Sequence, residues 1–81
     1  MQKVKSIHER KLGKHKALGL AYTETGEIHI DERLKGEEYL YVLIHEILHI
    51  QNPKWSESKI IGHAKELANI IYSKNFRKIC Q

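Results

Sequence analysis

The chain has 81 residues, of which 41% are hydrophobic and 30% charged, and a net charge of +4. This bounds it to one small globular domain and excludes a disordered chain. No apolar run nears the roughly 18 residues needed to cross a bilayer, and the basic start MQKVKSIHERKLGK has no apolar signal core. The single Cys80 offers no internal disulfide, so a cytoplasmic location is expected and no membrane partner.

The charge is uneven along the chain: residues 1–16 carry +5, residues 17–73 carry −4 and residues 74–81 carry +3. Basic ends raise nucleic acid or an acidic protein as a partner. Solubilising termini are the simpler account, and neither a helix-turn-helix pattern nor a basic stretch interleaved with aromatics accompanies them.

In chain order, KVKSIH alternates weakly at Val4 and Ile7, and Gly13 and Gly19 punctuate the approach to the next apolar segment. ALGLAYTETGEIHID then reads as a hairpin. An apolar run leads to a turn at Thr25-Gly26, after which Ile28 and Ile30 alternate with Glu27 and His29. About three antiparallel strands are expected. From Gly36 the period becomes helical, with Glu37 and Glu38 where a helix N-terminus favours carboxylates. This helix is expected over 36–51, ended by Pro53. Ser56 reads as the N-cap of a second helix over 57–73, with Asn75 as its stop. The predicted fold is α+β, one domain over 1–81, with a small sheet followed by two helices.

The first helix contains HEILH, residues 45–49. Leu40, Leu43, Ile44 and Ile47 form the stripe expected to pack on the sheet, and His45 and His49 fall nearly opposite it. Val42 and Leu48 flank the histidines, and residues 39–50 contain no Lys, Arg or Asp. A helix apolar nearly all round is covered on both sides, so the histidines are expected in a lined cleft. Imidazoles four residues apart differ by about 40° around the helix and reach one ion together. Zinc is the default ion, which makes water a nucleophile near neutral pH, with Glu46 as the general base. Imidazole ligands suit other metals too.

Two histidines leave a tetrahedral site incomplete, and Glu57, His63 and Glu66 are the downstream candidates. Ile60, Ile61, Ala64, Leu67, Ala68, Ile71 and Tyr72 form the inward stripe of the second helix. Glu57 lies at the centre of that stripe, His63 on its shoulder and Glu66 opposite. A carboxylate within an apolar stripe needs a partner, and the Pro-containing link IQNPKWS would fold the start of the second helix back beside the end of the first. Glu57 is therefore the preferred third ligand. His63 stays open, as does a purely helix-terminal role for Glu57. His8, His15 and His29 are expected to be solvated. Tyr39, Tyr41 and Tyr72 each carry a hydroxyl suited to an oxyanion, with packing the simpler role, and Trp55 is expected to anchor the turn or line the cleft.

The HExxH helix, preceded by strands and followed by a glutamate on a later helix, resembles the zincin metallopeptidases, in particular their gluzincin branch. The likeness covers residues 18–73 in layout and His45, Glu46, His49 and Glu57 in identity. It implies a zinc peptidase acting on a peptide or protein, with His45, His49 and Glu57 holding one Zn2+ and Glu46 as catalytic base. It also implies an edge strand, at 27–30 or 18–23, lying along the substrate. The link to Glu57 is shorter than in large gluzincins, and Trp55 stands where metzincins carry a third His. The brevity is similar to minimal metallopeptidase-like proteins of phages and bacteria, including SprT-like and ImmA-like groups that act near DNA or on transcriptional regulators. A phage origin would mean host cytoplasm. The alternative is a non-catalytic zinc module, associated or not with nucleic acid, in which the ion closes a small core.

Overall fold

The computed structural model describes residues 2–12 and 18–75. Gly13, His15, Arg77, Lys78 and Cys80 lie outside the described residues. Three strands precede two helices: β1 Ser6–Arg10, β2 Gly19–Tyr22, β3 Glu27–Asp31, α1 Gly36–Gln51 and α2 Glu57–Ser73. Both helices have the boundaries expected from sequence. Among the described residues no helix is long and apolar enough to cross a membrane.

The sheet is mixed, with strand order β1-β3-β2, which corrects the expected all-antiparallel arrangement. β2 and β3 form the predicted hairpin. Its turn closes as Tyr22 O accepts from Gly26 N at 2.8 Å, with Gly26 at φ +78°, a left-handed conformation that glycine takes without strain. β1 pairs parallel with β3 on the other side. A parallel partner is not joined by a tight turn, so no local signal in the sequence marks it. Lys5 N also donates to Gly26 O at 2.8 Å, which ties the approach to β1 to the hairpin turn.

α1 lies between the sheet and α2. On the sheet side Val42 and Ile50 pack with Ile28, Ile30, Leu34 and Tyr39. On the α2 side Ile44 and Leu48 pack with Ile60, Ala64 and Ala68. The expected sheet-facing stripe is thus divided: Leu43 and Ile47 join the sheet side, while Leu40 and Ile44 face α2. Ile28, Ile30, Ile50 and Ile60 are fully buried, each worth about 1.5–3 kcal/mol of transfer free energy. In α2, Leu67 departs from its expected inward stripe and is 39% exposed, because the small Ala64 and Ala68 make the close contact with α1.

The ends of the helices follow local chemistry. α1 starts after Lys35, which has no side-chain cap. The chain turns into α1 through Gly36 at φ +64°, where an added Cβ would stand 3.4 Å from the Tyr72 hydroxyl. At its other end Asn52 N donates to Leu48 O at 2.8 Å before Pro53 bars continuation. Ser56 caps α2 by accepting from Lys59 N at 3.2 Å. Asn75 follows the helix at φ +69°, a left-handed stop that asparagine tolerates. The Tyr39 hydroxyl donates to Glu9 Oε2 at 2.7 Å, linking α1 to β1. Burial, and then the Glu9 carboxylate, push the Tyr39 phenol up to about 12.

Candidate metal centre

His45 and His49 project from successive turns of α1, and the Pro53 turn returns the chain so that Glu57, first residue of α2, meets them. His45 Nε2 lies 2.7 Å from Glu57 Oε1, His49 Nε2 lies 3.4 Å from Glu57 Oε2, and the two Nε2 atoms are 3.2 Å apart. Zinc bound at about 2.0–2.2 Å sets tetrahedral ligand atoms about 3.3–3.6 Å from one another. The three groups therefore fit one ion, with the His45–Glu57 contact opening by roughly half an ångström. Glu57 approaches from the rim, its side chain 59% exposed against 16% for His45, so the site is open to solvent on the α2 side.

Burial lowers the pKa of His45, and the neighbouring His49 adds to this while Glu57 opposes it. The neutral ring is the form that ligates. His45 Nδ1 is buried without a hydrogen-bond partner among the described residues. A histidine bound to metal through Nε2 ordinarily donates from its other nitrogen to an outer acceptor, and here that support is missing from the donor set.

Glu46 is 9% exposed and turned toward β2. A Cβ added to Gly19 would lie 3.0 Å from Glu46 Oε2 and 2.7 Å from Val42 Cγ1, so the glycine lets the strand backbone settle over the carboxylate. Burial raises the Glu46 pKa, with His49 opposing and Glu57 adding to the rise. Gly19 was visible in the sequence only as punctuation, and its closeness to Glu46 depends on how β2 crosses α1.

Of Tyr39, Tyr41 and Tyr72, Tyr41 is the one at this site, its ring edge-on to His45 at 5.6 Å. It also borders a groove of about 390 Å³ lined by Glu37, Glu38, Lys65, Ala68 and Asn69. Tyr39 belongs to the sheet-side core and Tyr72 lies beside Gly36. His63 stacks against Trp55 at 4.9 Å, and Lys59 Nζ sits 4.4 Å over the Trp55 ring. His63 is thus engaged away from the histidine pair, and Trp55 anchors the turn onto α2. Glu66 is exposed beside His63 and Gly62. His29 is more enclosed than expected, its side chain 17% exposed, and it meets His8 and Glu27 on the sheet.

Comparison with protein-family models, curated proteins and solved structures found no match for this chain.

Proposed function

We propose that the protein is a zinc-dependent peptidase in which His45, His49 and Glu57 hold the ion and Glu46 is the general base. The observation that carries this reading is the convergence of three ligating side chains from two helices, with contacts of 2.7–3.4 Å among their two Nε2 atoms and the two Glu57 oxygens, and a buried carboxylate on the residue after His45. A bound ion would supply a Lewis acid that polarises a carbonyl and brings water toward ionisation near neutral pH. Glu46 takes a proton from the attacking water and returns it to the leaving amine. Burial beneath Gly19 orients its carboxylate and keeps bulk water from it.

The sheet supports a peptide as substrate. β3 is paired on both sides, which leaves 18–23 rather than 27–30 as the strand beside α1 whose outer edge is unpaired among the described residues. Leu18 O and Tyr22 O are bonded toward the hairpin, so by alternation Gly19 and Ala21 direct their backbone groups outward. An extended peptide paired there would run past Glu46. Among the described residues no comparable feature favours nucleic acid.

One observation favours the second reading, a non-catalytic zinc module. The ligands come from both helices, so an ion would also tie α1 to α2. Replacing Glu46 separates the two. Zinc-loaded wild type is expected to cleave an unstructured protein, seen as new peptides by mass spectrometry. Glu46→Gln should keep its zinc and its circular dichroism while cleavage falls roughly 10²–10⁴-fold. Equal cleavage by both proteins would remove Glu46 from the mechanism. No cleavage by either, with zinc needed for folding, would leave the structural role.

A further inference from the structure

We propose that His8, Glu27 and His29 form a second site for a divalent transition-metal ion, on the face of the sheet turned away from α1, and that Arg10 competes with the ion for His29. The site does not depend on the peptidase reading. Its residues come together through the parallel pairing that no local sequence signal announces. That register sets His8 opposite His29 and Ser6 opposite Glu27. Strand alternation then places all four side chains on one face, because Ile28 and Ile30 occupy the other.

The rings of His8 and His29 lie 4.9 Å apart, and Glu27 Oε1 is 3.3 Å from His29 Nε2. One ligand atom from each of the three residues lies within 4.8 Å of the others. The sheet holds the backbones rigidly, so side-chain rotation alone can close that spread to the about 3.3–3.6 Å of a tetrahedral site. Tyr22 packs edge-on against His29 at 5.1 Å, and Ser6 Oγ holds His8 Nε2 at 3.0 Å. Two imidazoles and one carboxylate suit zinc, nickel or copper rather than magnesium or calcium.

Arg10 gives the site its distinctive property. Its Nε donates to His29 Nδ1 at 2.6 Å. A neutral ring that accepts at Nδ1 carries its proton on Nε2, where Glu27 receives it. An ion taking Nε2 requires that proton to move to Nδ1, where the Arg10 N–H now points. Ion and arginine therefore exclude one another at this ring. Arg10 is exposed and can swing away, so the second ion binds more weakly than the first and the arginine sets its affinity.

Zinc titrated by calorimetry into chelator-stripped full-length protein tests this. Two ions per chain are expected, one tight and one weaker. His29→Ala should abolish only the weaker event and His49→Ala only the tight one. Arg10→Ala should tighten the weaker event on the order of tenfold. Glu27→Gln, which preserves shape should His29→Ala fail to fold, should weaken it by a similar factor. A wild type whose single ion survives His29→Ala, a weaker event that persists in His29→Ala, or an Arg10→Ala affinity no tighter than wild type would each overturn the proposal. Loss of the weaker event in His29→Ala with no change in His49→Ala would uphold it and overturn the first site instead.

Discussion

Gly19 is under two constraints at once: a Cβ there would meet Val42 Cγ1 at 2.7 Å and the Glu46 side chain at 3.0 Å. Gly19→Ala is expected to lower stability by about 1–3 kcal/mol, the usual cost of an overpacked contact, and to reduce any hydrolysis that depends on Glu46. Thermal melting beside cleavage kinetics checks this, and an unchanged melting temperature would mean the strand shifts freely. Asp31 offers a second test. Arg33 holds its buried carboxylate through the guanidinium at 2.7 and 3.0 Å and through its backbone N at 2.9 Å. The Arg33 side-chain bonds first, then that backbone bond, keep the Asp31 pKa well below the usual range. A carboxylate whose pKa is depressed on folding adds stability above its unfolded value of about 3.9. That contribution is lost as pH falls toward the folded value. Wild type should therefore exceed Asp31→Asn in urea midpoint at pH 7, and the gap should narrow below about pH 4. A gap unchanged down to pH 2 would assign the effect to something other than ionisation.

At the scale of elements, the candidate site depends on how α2 begins. Ser56 caps the helix through Lys59 N, and Glu57 is the next residue. Ser56→Ala is expected to cost about 1 kcal/mol and to weaken zinc binding, since fraying of the first turn moves a ligand. Urea denaturation with and without zinc would show both effects; a stability loss with no change in zinc affinity would mean that Glu57 is held by the ion rather than by the cap. The two helices were legible in the sequence to the residue because Pro53, Ser56 and Asn75 act locally. The sheet was legible only in part. Thr25-Gly26 marks the hairpin, whereas the β1–β3 pairing joins residues 21 positions apart, too far along the chain for one local turn to mark it.

For the whole molecule, an ion shared by α1 and α2 should raise global stability. Zinc at a hundred times the dissociation constant of this site, and below that of the weaker sheet site, is expected to add about 2.7 kcal/mol, seen as a rise in melting temperature that disappears in Glu57→Ala and in His49→Ala. A rise that survives both substitutions would place the tight site elsewhere. The helical periods, their caps, and the spacing of His45, Glu46 and His49 were all present in the linear chain, because each depends on residues a few positions apart. Glu57 could be singled out there by its odd place in an apolar stripe, but not located, since its approach to the histidines depends on the path through Pro53. The division of α1 between two cores, the burial of Glu46 beneath Gly19, and the meeting of His8 with His29 all arise from contacts between elements. Nothing in the local pattern of any one strand or helix encodes which neighbour it will face, so these features exist only once the layers have packed.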